Sequence, residues 1–226
     1  FIAYSVNSTT VLPAVEFQDA GSKTLSGSKL NVSGDLDFMY FKKEMMVSGA
    51  EDNYLAIILK HMLCQITTTI DASATGYLIN ELESSLSPHK AELSISLLDG
   101  ALTHGGDSKR ADVIFSSFGA ARLVSLPTII NAEENKETAY TIAAITIGDI
   151  TQNNIRPFTG LDVIPGVKYT MNLTLAPSDK YLTHMGQPAA RINGKIWMLH
   201  NLGVATNVDP NPDQVTSALH GDYYQW

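Results

Sequence analysis

The chain is nearly without cysteine. Cys64 stands alone in 226 residues, so no internal disulfide can form and the fold must rest on packing and hydrogen bonds. It lies in the apolar run MLCQITTTI with no basic neighbour to favour a thiolate, and it reads as a small buried filler. Positive charge is also scarce. Fifteen Lys and Arg face 23 Asp and Glu, a net charge of −8, and no basic run is longer than two residues, as at Lys42-Lys43. This argues against a surface built to attract nucleic-acid phosphates. No apolar run is long enough for a membrane-spanning helix. The opening residues FIAYSVNS lack the basic start and long apolar stretch of a signal peptide, so an exported protein would carry its targeting segment upstream. There is no internal repeat of fixed period. Ser84-Ser85 and Ser116-Ser117 have no GxSxG context, and Gly105-Gly106 and the glycines of the 160s match neither a phosphate loop nor GxGxxG.

What is present speaks for β-structure. The apolar share is 44%, and the length suits one large domain or two small ones. Ser, Thr and Asn are plentiful and charge is sparse, as on many exported β-proteins. The most informative stretch is GLDVIPGVKYTMNLTL, Gly160–Leu175. Pro165 pre-sets the first central angle of a tight turn, and Gly166 supplies the positive φ that a type II turn needs next. Beyond it Tyr169, Met171, Leu173 and Leu175 alternate with Lys168, Thr170, Asn172 and Thr174. One oily face and one wet face predict an antiparallel sheet covered on one side and packed on a second sheet, a β-sandwich.

Further strands are expected at Phe1–Val6, Asp37–Phe41, Tyr54–Ile70, Leu93–Leu98, Val113–Phe115, Arg122–Leu126 and Thr138–Ile147. Within Tyr54–Ile70 the apolar parity flips near His61, from Leu55, Ile57 and Leu59 to Cys64, Ile66 and Ile70. A bulge or a change of packing partner would produce this. His61 shares the parity of Leu59 and Leu63 and reads as a core histidine bonded to backbone. Leu78, Ile79, Leu82 and Leu86 have the spacing of a short helix over Ala74–Ser85, stopped by Pro88. Gly21–Gly34 and Thr103–Arg110 read as loops. Ala176-Pro177-Ser178-Asp179 looks like a linker, and Asn193-Gly194 predicts a hairpin between two apolar arms. The chain stops at YYQW as though inside a folded unit.

The tail holds His184, His200 and His220 with Asp209, Asp213 and Asp222. No two of these histidines have short-range ligand spacing, so no metal site is assigned. DPNPD lacks the regular spacing and closing glutamate of a calcium loop, and a calcium-stabilised turn stays open. Asn7, Asn31 and Asn172 begin N-x-S/T triplets, which matter only in a eukaryotic secretory setting. A sugar-stacking platform from Trp197, Tyr223, Tyr224 and Trp226 is one functional reading of the tail. A hydrolase using the tail His and Asp residues is another, and it requires two of the histidines to converge with a carboxylate in one cleft.

Four segments in order resemble the fimbrillin-like (Mfa-like) proteins of Bacteroidetes. They are FIAYSVNS at Phe1–Ser8, DLDFMYF at Asp35–Phe41, IILKHMLCQITTTID at Ile57–Asp71 and LDVIPGVKYTMNLTL at Leu161–Leu175. INGKIWMLHNLG with HGDYYQW is similar to the opening of the major-paralogous-type domain of Bacteroidetes and Fibrobacter surface proteins. The resemblance implies an all-β fold of two transthyretin-like Greek-key β-sandwiches in series. These are placed at residues 1–102, which would lack upstream strands, and 103–178, with a C-terminal extension at 179–226 that starts a further domain. It implies a non-enzymatic fimbrial (pilus) subunit, or an accessory or tip adhesin, at the cell surface. Such a subunit is held at the outer membrane by an upstream lipid and joined to other subunits by strand exchange. A missing strand exposes unpaired backbone and an apolar trough, and an incoming strand satisfies both. The resemblance carries no catalytic, cofactor or metal residues. Host or bacterial surface ligands are the other partners it implies, and a carbohydrate-binding surface module is the alternative.

Overall fold

The structure, a computed structural model, describes every residue except 10, 20, 22, 133–136, 177–179, 193–194, 215 and 223–226. Among the described residues no α-helix occurs; two single 3₁₀ turns are found at Ser73–Thr75 and Ser217–Leu219. The first strands are β1 (Ile2–Ser5), β2 (Val15–Glu16), β3 (Lys29–Ser33), β4 (Met39–Lys42), β5 (Lys60–His61) and β6 (Cys64–Asp71). Next come β7 (Ile79–Ser96), β8 (Leu102–Asp112), β9 (Arg122–Val124), β10 (Thr128–Ile130), β11 (Glu137–Ile147) and β12 (Ile150–Asp162). Last are β13 (Lys168–Thr174), β14 (Lys180–His184), β15 (Gln187–Ile192) and β16 (Lys195–Met198). The protein is all-β, as expected from the sequence.

The long strand β7 organises the molecule. Along one edge it pairs first with β11 and then with β3, and along the other with β8. Two separate cores form on this sheet. Near its second half Leu30, Val32, Leu93 and Ile95 face Val6, Phe38, Tyr40 and Leu63, so the small sheet β1-β4-β5 packs there. The Tyr40 hydroxyl donates to the Leu97 carbonyl at 2.7 Å and ties the two layers. Near the first half of β7, Ile79, Leu82, Leu86, Tyr140, Ile142 and Ile145 face Cys64, Ile66, Ile70, Leu123, Ile130 and Met171. That second layer is the sheet of β6 with β13 on one side and β9 and β10 on the other. Each fully buried aliphatic or aromatic side chain there contributes about 1.5–3 kcal/mol. Burial lifts the Tyr140 hydroxyl pKa to about 12. The core around Tyr140 draws residues from both sides of position 102. A three-stranded meander, β14-β15-β16, follows.

The parity flip near His61 marks the passage between the two cores: Leu63 belongs to one and Cys64 to the other. The Pro165-Gly166 turn forms as expected. Gly166 has φ +79°, and the Val167 N–H donates to the Ile164 carbonyl at 3.2 Å. Burial pushes the Cys64 thiol pKa up to about 12, which suits an inert filler.

Several expectations need correction. The helix over Ala74–Ser85 is absent, and most of that segment is β7. Thr146 pairs with Glu81 but Ile147 pairs with Ile79, so Asn80 is a β-bulge. The bulge brings Ile79 and Leu82, three residues apart, onto one face and imitates helical spacing. Thr103–Arg110 is strand β8, held by its ladder to β7 despite its polar composition. Gly21–Gly34 contains β3, whose Leu30 and Val32 alternate into the core. Tyr54–Leu59 is not a strand, and Ile58 is 73% exposed. Val113–Phe115 forms only an isolated bridge, Phe115 to Ser125. Strand β13 alternates as expected but runs parallel to β6, because one-sided burial fixes the side-chain rhythm and leaves strand direction free. The predicted turn at 193–194 and most of the linker, 177–179, lie outside the described residues; the two hairpin arms pair as β15 and β16.

Candidate functional site: an open strand edge beside an apolar groove

Strands β12 and β13 are the terminal strands of the two sheets that enclose the Tyr140 core. They lie on the same side of the sandwich, and the seam between them is open. Phe158 and Leu161 of β12, Ile66 of β6 and Tyr169 and Met171 of β13 line a groove of about 270 Å³ there.

The backbone of β13 adds directionality. The Gln65 N–H donates to the Val167 carbonyl, and the Leu175 N–H donates to the Asp71 carbonyl. In a parallel ladder this phase turns the odd-numbered residues of β13 toward β6. The amides and carbonyls of Lys168, Thr170, Asn172 and Thr174 therefore point to the free side. Their side chains are exposed and polar. Among the described residues no strand pairs with this edge. The result is a row of unsatisfied backbone groups next to a half-buried apolar seam, the geometry that receives an added strand.

The histidines fall differently from expectation. His61 is no core residue: its side chain is 53% exposed and its Nδ1 sits 2.7 Å from Asp37 Oδ1. The buried histidine is His89, which has no exposed surface. Its Nδ1 accepts from the Asn131 N–H at 3.1 Å, which leaves the ring proton on Nε2. That nitrogen is 3.0 Å from Asp35 Oδ1, too far off the N–H axis for a well-formed hydrogen bond. Burial holds the His89 pKa below its ordinary value, against the pull of Asp35. Asp35 pays a desolvation cost that Lys109 outweighs: the ammonium, 2.8 Å from Oδ2, keeps the carboxyl below its usual range. Asn131, also fully buried, donates to the Lys90 and Glu92 carbonyls at 2.9 and 2.8 Å and receives His104 Nδ1 on its Oδ1 at 2.5 Å. This polar hub joins β3, β7, β8 and β10 where the two cores meet. Its buried members, His89 and Asn131, bond to backbone and side chains of these neighbouring elements, and the Asp35–Lys109 pair closes it at the surface, so it is a structural clamp.

In the tail, His184 lines a cleft, His200 Nε2 donates to the Val208 carbonyl at 2.7 Å, and His220 is exposed. The Asp209 carboxylate receives the Asn211 N–H. Among the described residues no three His, Cys, Asp or Glu side chains gather in a metal-holding group, and none of the helical segments is long and apolar enough to cross a membrane. Of the four aromatics proposed as a platform, Trp197 is 57% exposed on β16, while Tyr223, Tyr224 and Trp226 lie outside the described residues. Sequence reasoning missed Tyr181. It pairs with Ala190, which pairs with Trp197, so two exposed rings share one face of the meander and flank a small residue.

The fold and this edge define an all-β sandwich protein with an unpaired rim. No protein-family model matches the sequence, and no curated protein matches it. Two solved structures, each described as a "putative cell adhesion protein", are similar in fold. One is from Bacteroides uniformis, 16% identical with a TM-score of 0.49 over 77% of this chain and 66% of its own. The other is from Bacteroides fragilis, 13% identical with a TM-score of 0.38 over 62% of this chain and 46% of its own. This chain thus spans just under two thirds of the first and less than half of the second.

Proposed function

We propose that the chain is a non-enzymatic subunit of a cell-surface fimbrial assembly, as shaft, tip or accessory adhesin, joined to its neighbour by β-strand addition at β13. The observation that carries this reading is the outward-facing backbone of Lys168, Thr170, Asn172 and Thr174 beside the groove of Phe158, Leu161, Tyr169 and Met171. An incoming strand would pair with the first set and seat alternate apolar side chains in the second. The partners are other subunits, and the location is the outer surface, with anchoring at the outer membrane through an upstream lipid. Immuno-electron microscopy of the native cell surface tests it. Label along filaments is the expected result, and label confined away from any filament would end the reading.

A second reading rests on Tyr181 and Trp197. Their backbones are two strand spacings apart, about 10 Å, and exposed ring faces of this kind stack on the apolar face of a sugar. A glycan array with the purified chain decides it: binding lost in W197A and Y181A supports a carbohydrate-binding surface, and signal at background sets it aside.

A further inference from the structure

The meander face opposite Tyr181 and Trp197 approaches the tip of the β11–β12 hairpin, and a cleft lies between them. Its two lobes measure about 210 and 390 Å³ and share Tyr77, Ile147, Ile150, Lys180 and Arg191. Ile145, Ile155, Leu175 and Ala176 add to the apolar wall of the smaller lobe. Lys180 and Arg191 are direct cross-strand partners, so their side chains leave the sheet on the same face. Like charges placed this way repel. Lys180 is exposed, but Arg191 retains only 8% exposure, and its Nε has no hydrogen-bond partner among the described residues. None of the ion pairs among the described residues involves either cation. Asp149 lines the larger lobe without reaching ion-pair distance of them. A guanidinium nitrogen taken out of water with no counter-charge among the described residues is costly, and two adjacent cations make it more so. The arrangement is what an anionic ligand would complete.

We propose that this cleft binds an amphipathic organic anion, a carboxylate on an apolar body. The head group sits between the Arg191 fork and the Lys180 ammonium, and the body lies on Ile145, Ile147, Ile150 and Leu175. The site shares no lining residue with the groove at β13 and does not depend on strand addition.

Calorimetric titration of the full chain with octanoate, octanol and acetate tests it. Octanoate binds and weakens with added salt. Octanol, which lacks the charge, binds at least about tenfold more weakly, the loss expected when a charge-assisted hydrogen bond is removed, and acetate, which lacks the body, binds at least about tenfold more weakly because its apolar burial is gone. R191M loses octanoate binding by about tenfold or more on the same ground, while its melting temperature stays at or above the parent's because an unpaired buried charge is gone. K180M, at an exposed position, loses binding several-fold and carries the test if R191M fails to fold. No octanoate binding at millimolar concentration, equal binding of octanol, or unchanged binding in both variants overturns the proposal.

Discussion

A proline scan of β13 separates the open edge from the ladder that holds the strand. The Thr170 N–H points away from β6, so T170P removes a donor the folded chain does not use. Proline is tolerated in edge strands for this reason, and the stability of T170P should stay within about 1 kcal/mol of the parent. The Met171 N–H points into the β6 ladder and its side chain is buried. M171P loses that bond, leaves a carbonyl of β6 unpaired and empties a core position, a combined cost of about 4 kcal/mol or more. Assembly responds in the opposite sense. An added strand facing T170P loses one hydrogen bond, worth about 1 kcal/mol, and buries its own unpaired carbonyl at a further cost of about 1–3 kcal/mol. That total weakens association by a factor of about 30–1,000. Guanidinium unfolding of the purified chains gives the first quantity, and incorporation of each variant into filaments on the native cell surface gives the second. Hydrogen exchange adds a direct check, since the Thr170 and Asn172 amides must exchange quickly in the isolated chain and slowly once assembled. Slow exchange of both amides in the isolated monomer, or normal incorporation of T170P, would falsify the assignment of β13 as the receiving edge.

Three further perturbations follow from the fold. G166A forces a side chain into a positive-φ turn and sets a Cβ 2.8 Å from the His61 carbonyl oxygen, so it should cost about 1–3 kcal/mol; an unchanged denaturation midpoint would refute this. N131A removes two donated hydrogen bonds and one accepted bond at a fully buried position, and chemical denaturation should register a loss of about 3 kcal/mol. His89 is held neutral in the folded chain and takes a proton on unfolding below its ordinary pKa of about 6.5. The unfolded state then binds more protons, so this contribution to stability is complete above that value and is lost as the pH falls through the window beneath it. Stability compared at about pH 7.5 and 5.5 should drop less in H89Q than in the parent, and equal drops would show that another group governs the slope.

The β-class of the fold was legible because one-sided burial writes itself into alternate residues. Tyr169, Met171 and Leu173 face inward as their spacing indicated. Bulges hid more. At Asn80, and again at Ala143, where Ile142 pairs with Ser84 and Ala144 with Glu83, one extra residue shifts the phase and spaces core side chains three apart. Such a pattern is shared by a helix and a bulged strand, and only the partner strand decides between them. Strand β8 was invisible for a different reason. Its side chains are mostly exposed or half-exposed, so no hydrophobic rhythm marks it, and its order comes from backbone pairing with β7.

The candidate sites depend on relations that alternation does not encode. Side-chain parity in β13 separates inner face from outer face, but which amides point to a free edge is set by the register with β6, about a hundred residues earlier in the chain. The same holds for the cleft. Lys180 and Arg191 look like two ordinary surface cations until the β14–β15 register places them opposite each other. The Tyr181–Trp197 pair needs two successive registers, β14 to β15 and β15 to β16. In each case the residue types were in plain view, and the missing quantity was the pairing. A single-residue slip in β15 against β14 would separate Arg191 from Lys180 and transfer it to the Tyr181 face. The cleft and the aromatic pair are therefore linked through one register, and a substitution that shifts it must alter both sites together.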